Sequence, residues 1–232
     1  MHWLAAEPER FSDVPGAWSS DVEGVRVQLK SDEQLMVNGK PVGSEYRFDD
    51  IDEHGARASF GDAIVEIARR DGHVMIRPRH PDHDVRTRYA GTPTFPPSAD
   101  WVARGKFVRF GEPREITVGA TVEGLTHVYE SPGEVAFELG GPVLRLMAFN
   151  GEKPNELFIV FADATSGTTT YAACRFLNVD APDADSEVTL DFNHATNPPC
   201  AYTDFATCPL PPASNHLPVR IEAGEKLPLN VK

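Results

Sequence analysis

Residues 156–179 read ELFIVFADATSGTTTYAACRFLNV. The apolar run ELFIVFA stops at Asp163, the turn formers Thr165-Ser166-Gly167 follow, and a second β-like run starts near Thr169. An apolar run, turn chemistry and a returning run specify an antiparallel hairpin. On the returning strand a side-chain period of two puts Tyr171, Ala173, Arg175 and Leu177 on one face, and Thr170, Ala172, Cys174 and Phe176 on the other. Downstream, in EVTLDFN (187–193), Asp191 and Asn193 share a face. If the two strands are neighbours, Arg175 pairs with Asp191 across the ladder, which supplies the partner a buried guanidinium needs.

The same β pattern extends upstream. WVARGKFVRF, REITVGATVEGLTHVYESPGEVAFEL and GPVLRLMAFN are strand-like, with turns expected at Glu123-Gly124-Leu125 and Ser131-Pro132-Gly133-Glu134. PVLRLMAF and ELFIVFA are apolar enough to be central strands. Nearer the start, Val25, Val27 and Leu29 alternate with polar residues, and Asn38-Gly39 between two short runs is a strong hairpin signal. Further runs are expected at Tyr46–Phe48, Ala56–Phe60, Ala63–Ala68 and His73–Arg77, with Gly61-Asp62 and Arg70-Asp71-Gly72 as turns. Trp3–Phe11 has apolar spacing compatible with a short helix ending near Pro15-Gly16.

Residues 81–100 are polar and rich in proline, so they read as a linker between an N-terminal β unit (1–80) and a C-terminal β unit (101–232). The expected fold is mainly β: two fused antiparallel units, sandwich or barrel-like, with a short N-terminal helix. Arg77, Arg79, Arg86 and Arg88 form the one basic cluster. It suits either an anion clamp or pairing with nearby acids, and the second is favoured.

Thirty-five acidic against 22 basic side chains give a net charge of −13. Such a balance argues against nucleic acid or an anionic membrane as partner. Only six of the bases are lysine, a composition also compatible with a salty cytoplasm. No run of about 18 apolar residues exists to cross a bilayer as a helix, and MHWLAAEPERF lacks the layout of a secretory signal. Three cysteines, an odd number, fit a reducing compartment, and the expected location is cytoplasmic. Oligomeric state is left open.

DATSGTTTYAACRF, followed by LDFNHATNPPCAYTDFATCPLPPASNHLPVRIEAGEK, resembles the DUF1684 family of bacterial and archaeal proteins. The resemblance covers residues 161–226, with a fainter match in AGTPTFPPSADWVARGKF, which looks like the family's linker. It implies a β-rich fold and a shared polar site, and no particular activity. Ala173-Cys174 stands where a smaller, Gly-containing pair is expected, which makes Cys174 a packing residue.

The residues carrying that resemblance include Asp163, Thr165, Thr170, Tyr171, Arg175, Asp191, Asn193, Asn197, Cys200, Cys208 and Asn215, a set that is costly to bury unless each member is satisfied. Several readings compete. In a binding module, Thr165, Tyr171, Arg175, Asn193, Asn197, Cys200, Cys208 and Asn215 would hold a small polar or anionic ligand. In a hydrolase, Asp163 or Asp191 would be the base, Arg175 would stabilise an oxyanion, and Cys200 would be a candidate nucleophile. In a polar staple, the same groups would satisfy the backbone of a proline-rich loop. No cofactor is expected; zinc on His194, Cys200, Cys208 and His216 is a remote option, because the spacing matches no standard ligand knuckle. Glu225 is expected to pair with an arginine, after a strand ending at Ala223.

Overall fold

The computed structural model describes residues 1–49, 51–52, 54–141 and 143–229. They divide into two units, Met1–Thr87 and Arg88–Lys232.

The first unit contains β1 (His2–Trp3), β2 (Glu9–Arg10), β3 (Ala17–Asp21), β4 (Gly24–Gln28), β5 (Met36–Val37), β6 (Lys40–Pro41), β7 (Glu45–Phe48), β8 (Ala56–Phe60), β9 (Ala63–Arg70) and β10 (His73–Arg79), then the single helical turn α1 (Asp84–Thr87). Two antiparallel sheets result, ordered β1-β10-β9-β8-β5-β6 and β2-β3-β4-β7. The inward residues Trp18, Val25, Val27, Leu35, Val65, Ile67 and Ile76 make one core. Asn38-Gly39 and Asp71-Gly72 all take positive φ, as two-residue turns twisted to match their strands require.

The expected N-terminal helix is absent. His2–Trp3 instead adds to the edge of β10, and Glu9–Arg10 pairs with β3. Pro8 disfavours the helical conformation at Glu7 and would leave a gap in a helical ladder, whereas two sheet edges are available to satisfy the backbone. Of the basic cluster, Arg77 and Arg79 both bond Glu66, which lies opposite Arg77 in the β9–β10 register.

The second unit contains β11 (Val102–Gly119), β12 (Thr126–Glu138), β13 (Val143–Asn150), β14 (Leu157–Phe161), β15 (Arg175–Val179) and β16 (Glu187–Asp191). They form one antiparallel sheet ordered β15-β14-β13-β12-β11-β16. Its two edge strands, β15 and β16, approach each other without pairing, so the sheet curls into a half-barrel, called the barrel below. Leu146, Ile159, Phe161, Leu177, Leu190 and Phe192 fill the interior. As expected, β13 and β14 lie inside the sheet; Pro142, which opens the β13 run in the sequence, falls outside the described residues, as do 230–232.

Ser131-Pro132-Gly133-Glu134 is not a turn. β12 runs straight through it, and the β11–β12 register shifts between Arg109 and Arg114, so four residues of β11 bulge out opposite Pro132. Proline cannot donate to a ladder, and a wide bulge is where a strand tolerates one. The turn at Glu123-Gly124-Leu125 is present, joining β11 to β12.

After β16 the chain makes little regular structure. Residues 192–229 hold three short 3₁₀ turns, Phe192–His194, Pro199–Ala201 and Ala213–Asn215, and otherwise wrap across the barrel. No strand ends at Ala223; Glu225 forms an isolated bridge with Thr94.

Candidate functional site

The hairpin of residues 156–179 exists, but its returning strand starts at Arg175, paired with Phe161, and residues 162–174 form the loop. Tyr171 therefore does not share a strand face with Arg175. Six residues of threonine-rich loop explain the difference: the carbonyl of Thr165 accepts the amides of Thr168, Thr169 and Thr170 and the Thr168 hydroxyl, closing a compact turn before a strand can begin. The hydroxyls of Thr165 and Thr170, both fully buried, bond each other at 2.8 Å.

Arg175 points into the barrel with Leu177 and Val179. Its partner is Asp163, not Asp191: Nη2 donates to Oδ2 at 2.6 Å, with the Arg175 and Asp163 side chains 1% and 0% exposed. The guanidinium also donates to the carbonyls of Ile221 (3.0 Å) and Ala223, and its Cζ lies 5.1 Å from the centroid of Phe161. Asp163 Oδ1 accepts the amides of Thr165 (2.7 Å) and Ile221 (3.3 Å). Burial pushes the guanidinium below its ordinary pKa, and the Asp163 charge and hydrogen bond oppose that. Arg175 Nε alone is left without a partner. The pair ties the hairpin to the strap at 219–223 at one end of the barrel.

Asp191 has a different task. β16 pairs with β11 and not with β15, and Asp191 ends it, capping the 3₁₀ turn through Oδ1 to Asn193 N (3.0 Å) and Nδ2 (2.8 Å). Asn193 then reads the backbone of Ser98 like a paired strand, accepting its amide (3.1 Å) and donating to its carbonyl (2.9 Å). Asn215 does the same for Met147, and donates to the Val160 carbonyl as well. The Asn197 backbone N–H donates to Glu225 Oε2 (2.6 Å) and its Nδ2 donates to the Lys226 carbonyl (2.8 Å), while its buried Oδ1 has no partner. Glu225 is thus engaged by Asn197 and by the Tyr202 hydroxyl (3.0 Å) rather than by an arginine.

Cys200 and Cys208 lie together with Ala206 and Tyr171 in a small buried cluster. The Cys200 amide donates to Cys208 Sγ at 3.2 Å, and the Tyr171 hydroxyl donates to the Cys200 carbonyl at 3.0 Å. The hydrogen bond from Cys208 draws the Cys200 thiol down to about 6, while the Cys208 thiol is pushed up by that same partner and by burial. Burial raises Tyr171 and Cys174. All three cysteines are thiols. Cys174 is fully buried and packs with Val118, Phe149 and Val160. His194 and His216 are exposed, and no group of three or more potential metal ligands lies together among the described residues.

Two open grooves adjoin on the outer surface of the same unit, one enclosing about 360 Å³ and the other about 320 Å³. Both are lined by Arg104 and Glu187; Lys106 and Glu138 belong to the first, Asp180 and Asp183 to the second. None of the residues singled out in the sequence lines either. The strand alternation in WVARGKF carried the signal: Ala103, Gly105 and Phe107 face inward, which turns Arg104 and Lys106 outward.

A family described as "Protein of unknown function (DUF1684)" matches residues 87–226. The chain belongs to this family. Among solved structures, the chain is similar to an uncharacterised protein of Haloarcula marismortui determined by NMR in solution, at 33% identity and a TM-score of 0.52, covering 62% of this chain and 80% of that one. No curated protein matches the chain. The family match starts where the second unit starts, so the barrel and its strap are the part shared with relatives.

Proposed function

We propose that the second unit binds a small charged ligand at the outer groove beside β11, while its family-specific polar residues hold the barrel closed. The observation that carries this reading is Arg104. It is exposed, shared by both grooves, and, like Lys106, has no ion-pair partner among the described residues of a chain with net charge −13. In an acidic protein a free guanidinium beside a free ammonium favours a carboxylate or phosphate, and Glu138 and Glu187 on the same groove suit an amine or hydroxyls on the same ligand. Asp163 argues against hydrolysis: both its oxygens are occupied and it is sealed from solvent.

The test is titration of the protein with amino acids, dicarboxylates and sugar phosphates, followed by amide chemical shifts. Saturable shifts confined to β11, β12 and β16, lost in Arg104→Ala with an unchanged melting temperature, support the reading. A panel that leaves these amides unmoved defeats it.

A further inference from the structure

The groove leaves the sulfur cluster unused, and that cluster supports a separate inference. We propose that Cys200 and Cys208 form a dithiol–disulfide couple that reduces small hydroperoxides, Cys200 attacking and Cys208 resolving.

Geometry supports the pairing. The two residues are eight positions apart, yet the loop returns so that Cys208 Sγ accepts the Cys200 amide at 3.2 Å. Two further hydrogen bonds fix the loop's ends: Thr121 N to the Cys208 carbonyl (2.9 Å), and the Tyr171 hydroxyl to the Cys200 carbonyl. The segment between them surfaces at Asp204 and at Phe205, which is 41% exposed, so the sulfurs lie just beneath the surface and not in the barrel core. Electrostatics are consistent with an attacking group: the neighbouring Cys208 thiol favours the charged form of Cys200 and draws it below the ordinary thiol value, and the thiolate is the reactive species. Cys174 lacks these features. It donates to the Pro209 carbonyl at 3.5 Å, is fully buried, and is held protonated by that burial.

The chemistry balances with the hydroperoxide as oxidant. The Cys200 thiolate attacks the terminal peroxide oxygen, the O–O bond breaks, and the alcohol leaves with a proton; Cys200 has given two electrons and become a sulfenic acid. Cys208 sulfur then attacks Cys200 sulfur, the S–S bond forms, the S–O bond breaks, and the Cys208 proton departs with hydroxide as water. An external thiol reductant restores the dithiol.

The experiment treats reduced whole protein with one equivalent of hydrogen peroxide, quenches in acid, alkylates under denaturing conditions and maps the peptides. The expected product joins Cys200 to Cys208 and leaves Cys174 alkylated. In Cys208→Ser, dimedone should label Cys200; in Cys200→Ser, Cys208 should stay unlabelled. The wild-type rate should rise with pH through about 6. Three alkylated cysteines after treatment, a bridge that includes Cys174, or equal labelling of Cys208 in Cys200→Ser would overturn the assignment. The wild-type map decides the matter even where a variant folds poorly.

Discussion

The side-chain amide of Asn215 sits against the backbone of Met147 as a neighbouring strand would, accepting its N–H at 2.8 Å and donating to its carbonyl at 2.9 Å. The β13–β14 ladder pairs Asn150 with Leu157 and Phe149 with Phe158, then stops. In that register Met147 and Val160 come next at a hydrogen-bonding position, and Asn215 lies between them, donating to the Val160 carbonyl at 2.9 Å as well. A fully buried amide thus continues a sheet that has opened.

Asn215→Ala should therefore be destabilising out of proportion to its size. Three backbone groups lose their partner, and each buried unpaired group costs about 1–3 kcal/mol. Urea unfolding should show a lower midpoint, and the Met147 amide should exchange faster with solvent. An unchanged midpoint would mean water replaces the side chain at no cost.

Arg175→Ala should cost about 3–5 kcal/mol, because it strands the Asp163 carboxylate in the barrel. Replacing both members with apolar residues should cost less than the sum of the single changes, since no orphan charge remains. Thermal melts of the two single variants and the double variant measure this coupling. Strict additivity would contradict the buried pair.

Much of this was legible in the sequence, for reasons that differ by element. Asn38-Gly39, the β9–β10 turn and the apolar runs of β13 and β14 are local signals, and each gave a correct element. Asp163 and Arg175 were identifiable as costly residues, but their pairing was assigned across strands when it runs within one hairpin. The error arose at residues 169–174, where a threonine-rich loop resembles a strand because threonine favours both. Pro132-Gly133 misled in the opposite direction, since the bulge that accommodates it lies on the partner strand. The groove at Arg104 was missed because a free cation is defined by what does not approach it, which depends on the whole fold.

Gly224 lies in the closing Gly-Glu-Lys of the family resemblance, at φ +70. A Cβ there would stand 2.4 Å from the Ala195 carbonyl oxygen, a backbone atom. Gly224→Ala should cost at least about 1–2 kcal/mol from the left-handed conformation alone, with added displacement of the Ala195–Glu225 contact. Calorimetry on the variant checks this; a melting temperature equal to the parent's would refute it.

Glu66 gives the first unit a pH dependence. Burial acts to raise its pKa, but the hydrogen bond from Arg79 and the charge of Arg77 prevail and hold it below the ordinary carboxylate value. A depressed folded-state pKa adds stability that is complete above the unfolded value of about 4.3 and disappears as pH falls through the folded one. Glu66→Gln should therefore melt lower than wild type at neutral pH, and the difference should shrink to nothing in acid. A gap that persists at low pH would assign the loss to packing.

The strap after β16 has a consequence for the order of events during synthesis. Asp163 and Arg175 emerge from the ribosome well before Ile221 and Ala223, whose carbonyls and amide complete their coordination. Until then the nascent barrel carries a half-satisfied ion pair and an open ladder beside Met147, both awaiting the same distal segment. Closure at this end of the unit thus rests on contacts between residues 46 to 58 positions apart in the chain, a long-range step whose loop-closure entropy must be met before the contacts reward it.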